Sequence, residues 1–445
     1  MALPMQNDKT MNYIQKVKTV WLLSVPAILA QLTMIIMQYI DAAMVGELGA
    51  NASASIGIVS TSTWLLGGLC TAAATGFSVQ LAQQIGAGDI KKARLIMKHG
   101  LLITICFSII LMLAGIIISA SLPRWLGASD EIYKNAYLYF LVYVCSLPVQ
   151  QLNIFSSSML QSCGNMKIPS LLNAIMCGLD VIFNLILIQF FGVLGAAFGT
   201  AMAQAIIGCW MFWMACFHFD NMKVHIFDKI HIDKSIISSA ARIAFPIALE
   251  HTAVCGAMIA ATRIIAPLGT IAIAANSFAV TAESLCYMPG YGIAMAATTL
   301  VGQSIGANKK DLAKSYSNIS IMFGTLTMTG AGILMYFLCP VIFQLFTPDF
   351  QVQKLAVKVL RIELLAEPLY AVSIVASGAL RGAGDTFIPS LLNLFSIWCI
   401  RLILSLILVN EWGLLGVWFA MAVELCIRGL LMLYRQQKGN WLRKL

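Results

Sequence analysis

Along this chain, apolar residues run in blocks of about 20 or more between residues 18 and 434, broken by short polar loops. Such a block is what an α-helix needs to cross a hydrocarbon layer about 30 Å thick. The pattern predicts twelve helices, over 18–45, 52–83, 94–120, 132–161, 169–190 and 193–217, then 241–266, 270–302, 312–338, 355–381, 388–410 and 413–434. The first block follows Lys9, Lys16 and Lys18. It is too long for the apolar core of a signal peptide, and no small-residue cleavage site follows, so it reads as a retained first helix.

The blocks are themselves duplicated. IPSLLN occurs at Ile168 to Asn173 and again at Ile388 to Asn393, an offset of 220. The same offset aligns Pro26 with Pro246, Leu48-Gly49 with Leu268-Gly269, Ile85-Gly86-Ala87 with Ile305-Gly306-Ala307, and Gly164 with Gly384. One inserted residue then brings Gly192 and Gly195 onto Gly413 and Gly416. Six helices is an even number, so both copies enter the membrane from the same side. The expected fold is an all-α integral membrane protein, with twelve transmembrane helices as two six-helix lobes related by a pseudo-twofold axis along the membrane normal. The expected division is a first lobe over 1–217, a cytoplasmic linker over 218–240 with His218, Asp220, Asn221, Lys223 and Asp228, and a second lobe over 241–445.

Composition agrees: 60% of residues are hydrophobic and 11% charged, with a mean hydropathy of +0.85, against about a quarter charged in soluble domains. The net charge of +9 has a topological reading. Lys91, Lys92 and Arg94, then Lys167, then Lys223, Lys229 and Lys234, then Lys309, Lys310 and Lys314 follow the even-numbered helices. The positive-inside rule places these loops and both termini in the cytoplasm, beside anionic lipid, with no nucleic-acid partner implied. The twelve cysteines fall mostly inside helices without CxxC or metal-ligand spacing, and read as small buried apolar residues. No GxxxxGK[ST], HExxH, GxSxG or kinase signature occurs, so neither an enzyme nor an ATP-driven pump is expected, and no cofactor.

Several stretches together resemble one family. These are the proline in helices 1 and 7, QYIDAAMVGELGA closing helix 1, QQIGAGDIKKAR after helix 2, and GNMKIPSLLN and GAGDTFIPSLLN opening helices 5 and 11. The chain resembles the multidrug and toxic compound extrusion (MATE) transporters over about residues 15 to 435, and in its first-lobe acids the DinF-like branch. The resemblance implies cation-coupled antiport of organic molecules out of a cell, by alternating access, from the bacterial inner membrane. A monomer is expected. The alternative within the same superfamily is a lipid-linked oligosaccharide flippase.

An ionisable side chain at mid-membrane costs at least about 2.5–3.5 kcal/mol, so each asks for a local reason. Asp41 ends the apolar run of helix 1, and Asp180 lies about eleven residues into helix 5. At the offset of 220 their second-lobe equivalents are Ala261 and Ile400, so neither acid belongs to the shared scaffold. The resemblance implies a first-lobe site for the coupling cation at Asp41, Asp180 and Thr200. Its asparagine one turn before Asp180 falls on Met176, a poor ligand for a hard cation. Asn173 or Asn184 could supply the missing oxygen. Sodium at Asp41 and Asp180 stays open, while two neighbouring carboxylates without a full oxygen cage favour a shared proton.

Pro26 and Pro246 are candidate hinges, each removing a backbone hydrogen bond from its helix. In the second lobe, Glu250, Glu283, Glu367 and Arg401, with Tyr39 and Tyr287, are candidates for a substrate cavity favouring cationic, lipophilic guests. Arg401 needs an acidic partner, which Glu250, Glu283 or Glu367 could provide. Glu424 and Arg428 are spaced to pair with each other.

Overall fold

The computed structural model describes residues 12–218 and 233–442. The described residues are all-helical: α1 (Tyr13–Gly46), α2 (Ala50–Ala87), α3 (Ile90–Ser119), the short α4 (Leu122–Trp125), α5 (Asp130–Ser162), α6 (Lys167–Phe191) and α7 (Val193–Trp213), then α8 (Lys234–Ile265), α9 (Thr270–Gly306), α10 (Lys310–Phe346), α11 (Phe350–Leu364), α12 (Glu367–Gly382), α13 (Phe387–Phe395), α14 (Leu402–Trp412) and α15 (Leu414–Gln437). Among them, eleven helical spans are long and apolar enough to cross a membrane.

The expected tenth helix, 355–381, is broken into α11 and α12. Pro368 accounts for the break. It has no N–H to give and its ring would clash with the carbonyl of Leu364, so it stands in the first turn of a new helix. Helix α8 starts at Lys234, ahead of the expected 241. The remaining linker positions Asp220, Asn221, Lys223 and Asp228 lie outside the described residues.

Packing divides the chain into two compact units. The first holds the described residues from Thr33 to Ala248, and the second those from Asn12 to Leu32 and from Leu249 to Leu442. In the first, α5 packs against α2, α3 and α7, and α6 against α7. In the second, α9 packs against α10, α11 and α12, and α15 against α11, α12 and α14. The two proline-bearing helices change unit along their length. Up to Leu32, α1 belongs with α9, where a Cβ on Gly292 would lie 2.6 Å from Ile28 N. Up to Ala248, α8 belongs with α2, where a Cβ on Gly76 would lie 2.6 Å from the Ala240 carbonyl oxygen.

The matched turn residues share a backbone conformation as well as an identity. Gly164 and Gly384 have φ of +82° and +88°, and Gly192 and Gly413 have φ of +57° and +56°. A Cβ would be strained at each, so glycine stands at all four. Gly88 has φ +77° and its counterpart, Asn308, +60°. Asparagine is among the few other residues that tolerate this region.

The one inserted residue also has a physical form. Between α13 and α14, Ser396–Arg401 forms a π-helical turn, the wider turn that absorbs an extra residue within an α-helix. Upstream, the hexapeptides align at 220. Downstream, Leu185-Ile186-Leu187 aligns with Leu406-Ile407-Leu408 at 221. The change of register therefore falls between the hexapeptide and Leu406, in the stretch that holds Ile400 and Arg401.

Candidate functional site

Three side chains meet in the first unit. Asp41 comes from the C-terminal part of α1, and Asp180 and Asn184 from successive turns of α6. Asn184 Nδ2 donates to Asp41 Oδ1 at 2.8 Å and to Asp180 Oδ2 at 3.2 Å, so one amide bridges two carboxylates. Asp180 also acts electrostatically on Asp41. Asp180 and Asn184 are fully buried, and Asp180 Oδ1 and Asn184 Oδ1 have no protein donor. Buried acceptors left without a donor are what a site for a proton or a small cation presents.

Helix α7 comes close enough to hold Asn184 in place. Gly199 faces it, and a Cβ there would lie 3.0 Å from Asn184 Cγ and 3.1 Å from its backbone N. Tyr139 of α5 acts electrostatically on both carboxylates. Thr200 follows Gly199 but makes no side-chain hydrogen bond among the described residues. Asn173 is two helical turns before Asp180, about 10 Å along the axis, and does not join the trio. Asn153 of α5 directs its Nδ2 at the Met176 sulfur, 3.8 Å away, and its Oδ1 is buried without a partner. Three oxygen-bearing side chains fall short of the six to eight ligands of a hard-cation cage such as that of calcium, and among the described residues no group of three or more His, Cys, Asp or Glu is arranged for a metal.

The second unit carries two polar clusters. Glu250 is closed off. Arg381 Nη2 donates to Oε1 and Oε2 at 2.8 and 2.9 Å, Ser390 Oγ at 2.6 Å and Asn393 Nδ2 at 2.7 Å. Both Ser390 and Asn393 belong to the second IPSLLN, so that copy of the hexapeptide serves to hold a carboxylate.

The other cluster gathers around Glu283 (α9), Glu363 and Glu367 (α11 and α12), Arg401, and Glu424 with Arg428 (α15). Arg428 pairs with Glu424 at 3.1 Å, as their spacing predicts, and Glu424 accepts from Ser396 Oγ at 2.6 Å. Arg428 also stands over the Tyr370 ring, which packs edge-on to Tyr287. Glu363 and Glu367 are fully buried, with all four carboxylate oxygens unpartnered. Arg401 makes no ion pair or hydrogen bond among the described residues, but acts electrostatically on Glu283 and Glu363. Of its three anticipated partners only Glu283 is among these; Glu250 is held by Arg381.

Comparison with known proteins decides the family. The MatE family model matches residues 26–186 and again 246–407, one match for each copy of the repeat. The chain belongs to the MatE family. It is thus a multi-span membrane transporter of the multidrug and toxic compound extrusion class. It is 25% identical over 430 residues to the "Probable multidrug resistance protein NorM" of Thermotoga maritima, covering 94% of this chain and 92% of that one. Its fold matches a MOP superfamily transporter from Pyrococcus furiosus with a TM-score of 0.90, at 19% identity over 98% of this chain and 100% of the other. The Vibrio cholerae MATE transporter VcmN matches with a TM-score of 0.91, at 17% identity over 97% and 99%.

Within this MatE chain, the sequence reading brought Asp41, Asp180 and Asn184 forward, and the structure gathers them. Tyr39 lies two residues before Asp41 on α1, and Tyr287 lies in the second-unit cluster. Pro26 and Pro246 fall in the parts of α1 and α8 that pack with the other copy's helices. Gly199, Tyr139, Glu363 and Arg381 were missed in roles that depend on which helix faces which. One signal was available for Gly199. Its counterpart at the downstream offset is Ala420, and that of Asn184 is the smaller Ser405.

Proposed function

We propose that this chain is a multidrug exporter of the bacterial inner membrane that moves organic, cationic and lipophilic compounds outward in exchange for protons by alternating access. The observation that carries the reading is the Asn184 amide bridging Asp41 and Asp180, with one oxygen each of Asp180 and Asn184 left unpartnered. Two carboxylates in this arrangement hold one proton between them, and losing it changes what the amide must satisfy. Asp41 is on α1, the helix that carries Pro26 and passes from one unit to the other at Leu32. A change of protonation at Asp41 therefore acts on a helix built to bend. The names borne by the NorM relatives support the multidrug reading, and the basic even-numbered loops support cytoplasmic termini.

The test is efflux of a fluorescent lipophilic cation from proteoliposomes under imposed proton and sodium gradients, for the parent and for Asp41→Asn and Asp180→Asn. A proton gradient alone should drive movement, and either substitution should abolish it. Movement driven by sodium alone would overturn the proton assignment. No movement of several cations by folded protein would overturn cationic drug export in favour of a lipid-linked or anionic cargo.

A further inference from the structure

We infer that the hollow at the α14–α15 junction of the second unit is a peripheral binding site for a lipophilic organic cation, held by the Glu411 carboxylate and the exposed rings of Trp412 and Phe419. The inference concerns binding alone; it goes beyond the export reading and does not depend on it.

The hollow has a volume of about 430 Å³ and is lined by Ile362, Glu411, Trp412, Leu415 and Phe419. Pockets of about 300–1,000 Å³ take drug-sized molecules. The two rings meet edge to face, with centroids 5.6 Å apart and planes at 73°, and are 51% and 40% exposed. The first copy provides an internal comparison. At the offset of 221, Trp412 and Phe419 match Phe191 and Phe198, which also meet edge to face, at 6.5 Å and 73°. Paired rings at this helix end are therefore common to both copies, and anchoring a membrane helix at its interface accounts for them. The carboxylate is not shared, because Glu411 matches Phe190. Glu411 is exposed and makes no ion pair or hydrogen bond among the described residues, so no protein cation neutralises it there. A cation is drawn to the face of an aromatic ring by the ring quadrupole, and to a carboxylate by its full charge. A ligand with one positive charge inside an apolar body thus suits the acid, the rings and the aliphatic wall of Ile362 and Leu415 together. A neutral ligand leaves the acid unused, and an anion is repelled.

The experiment is fluorine NMR of the full chain labelled with fluorotryptophan in an uncharged maltoside detergent. Trp412→Phe assigns the Trp412 line among those of the nine tryptophans. Tetraphenylphosphonium should shift that line saturably, and triphenylphosphine oxide, aromatic but uncharged, should not. Glu411→Gln should weaken the affinity for the cation about fivefold, the upper end for an exposed charge pair. Phe419→Leu, which keeps an apolar side chain but removes the ring face, should weaken it about threefold. No saturable shift by the cation, equal shifts by the charged and neutral compounds, or an unchanged affinity in Glu411→Gln each overturn the inference. If added phosphatidylethanolamine moves the Trp412 line and tetraphenylphosphonium then has no effect, the hollow belongs to a lipid ammonium group and the assignment is likewise overturned. The comparison of charged and neutral compounds uses the parent chain, so it stands even where a variant fails to fold. No gradient is imposed, so a failure of transport and a failure of this site are seen separately.

Discussion

Gly199→Ala tests whether the bridge at Asn184, and not merely the two acids, underlies coupling. The new Cβ would lie 3.0 Å from Asn184 Cγ and 3.1 Å from Asn184 N, and would fall onto Oδ1. The backbone of α6 cannot yield easily there, so the amide must rotate away. Rotation strains the hydrogen bonds to Asp41 at 2.8 Å and Asp180 at 3.2 Å. Hydrogen bonds to charged groups contribute about 1.5–3 kcal/mol each. If half of the combined value is lost, about 1.5–3 kcal/mol leaves the site, roughly ten- to a hundredfold in an equilibrium constant. The fold itself should suffer little, because alanine is favoured over glycine by up to about 1 kcal/mol within a helix. The expected result is near-parent thermal stability in detergent with proton-driven efflux reduced at least tenfold. Gly178→Ala, two residues from Asp180 with nothing within 4 Å of its Cβ, is the control and should be silent. Asn184→Ser combined with Gly199→Ala copies the second-copy pair Ser405 and Ala420, and should relieve the clash without restoring coupling. Parent-like proton-driven efflux in Gly199→Ala would refute the argument.

Two further outcomes are expected. Arg381→Ala leaves Glu250 with two of its four hydrogen bonds, and breaking a buried pair costs about 3–5 kcal/mol. Because the side chains of Arg381 and Glu250 are 24% and 12% exposed, the lower end applies, read as a fall in the unfolding midpoint that Glu250→Gln in the same chain partly reverses. Gly164→Ala and Gly384→Ala should each destabilise by about 1–2 kcal/mol, since both force a Cβ into the left-handed region; a silent substitution at either would show that its turn can relax.

Much of the fold was legible because lipid leaves a helix few options. Apolar blocks of the right length became helices, and the glycines that exposed the repeat are shared for the backbone angles they permit. The break at Leu365–Ala366 was missed because counting apolar residues outweighs one proline, although Glu363, Glu367 and Pro368 close together mark a segment ill-suited to an unbroken span. In the site, Asp41, Asp180 and Asn184 could be found from the sequence because polar groups stand out within apolar runs. Gly199 and Arg381 could not, since their roles depend on helix rotation and on contacts between segments up to 131 residues apart. Glu250 illustrates the same limit: as a sequence feature it is an acid in a membrane helix, and only packing reveals that three donor groups already satisfy it with four hydrogen bonds.

Duplicated proteins commonly diverge by exchanging side chains within a common frame. Here the two frames also differ in length by one residue. In a regular helix an extra residue would rotate everything after it by about 100° and turn the packed face of α14 toward lipid. Because the wider turn at Ser396–Arg401 takes up that rotation, the Leu-Ile-Leu run beyond it keeps its phase. The two copies can thus differ in length by one residue while the helix beyond the turn keeps the face it packs.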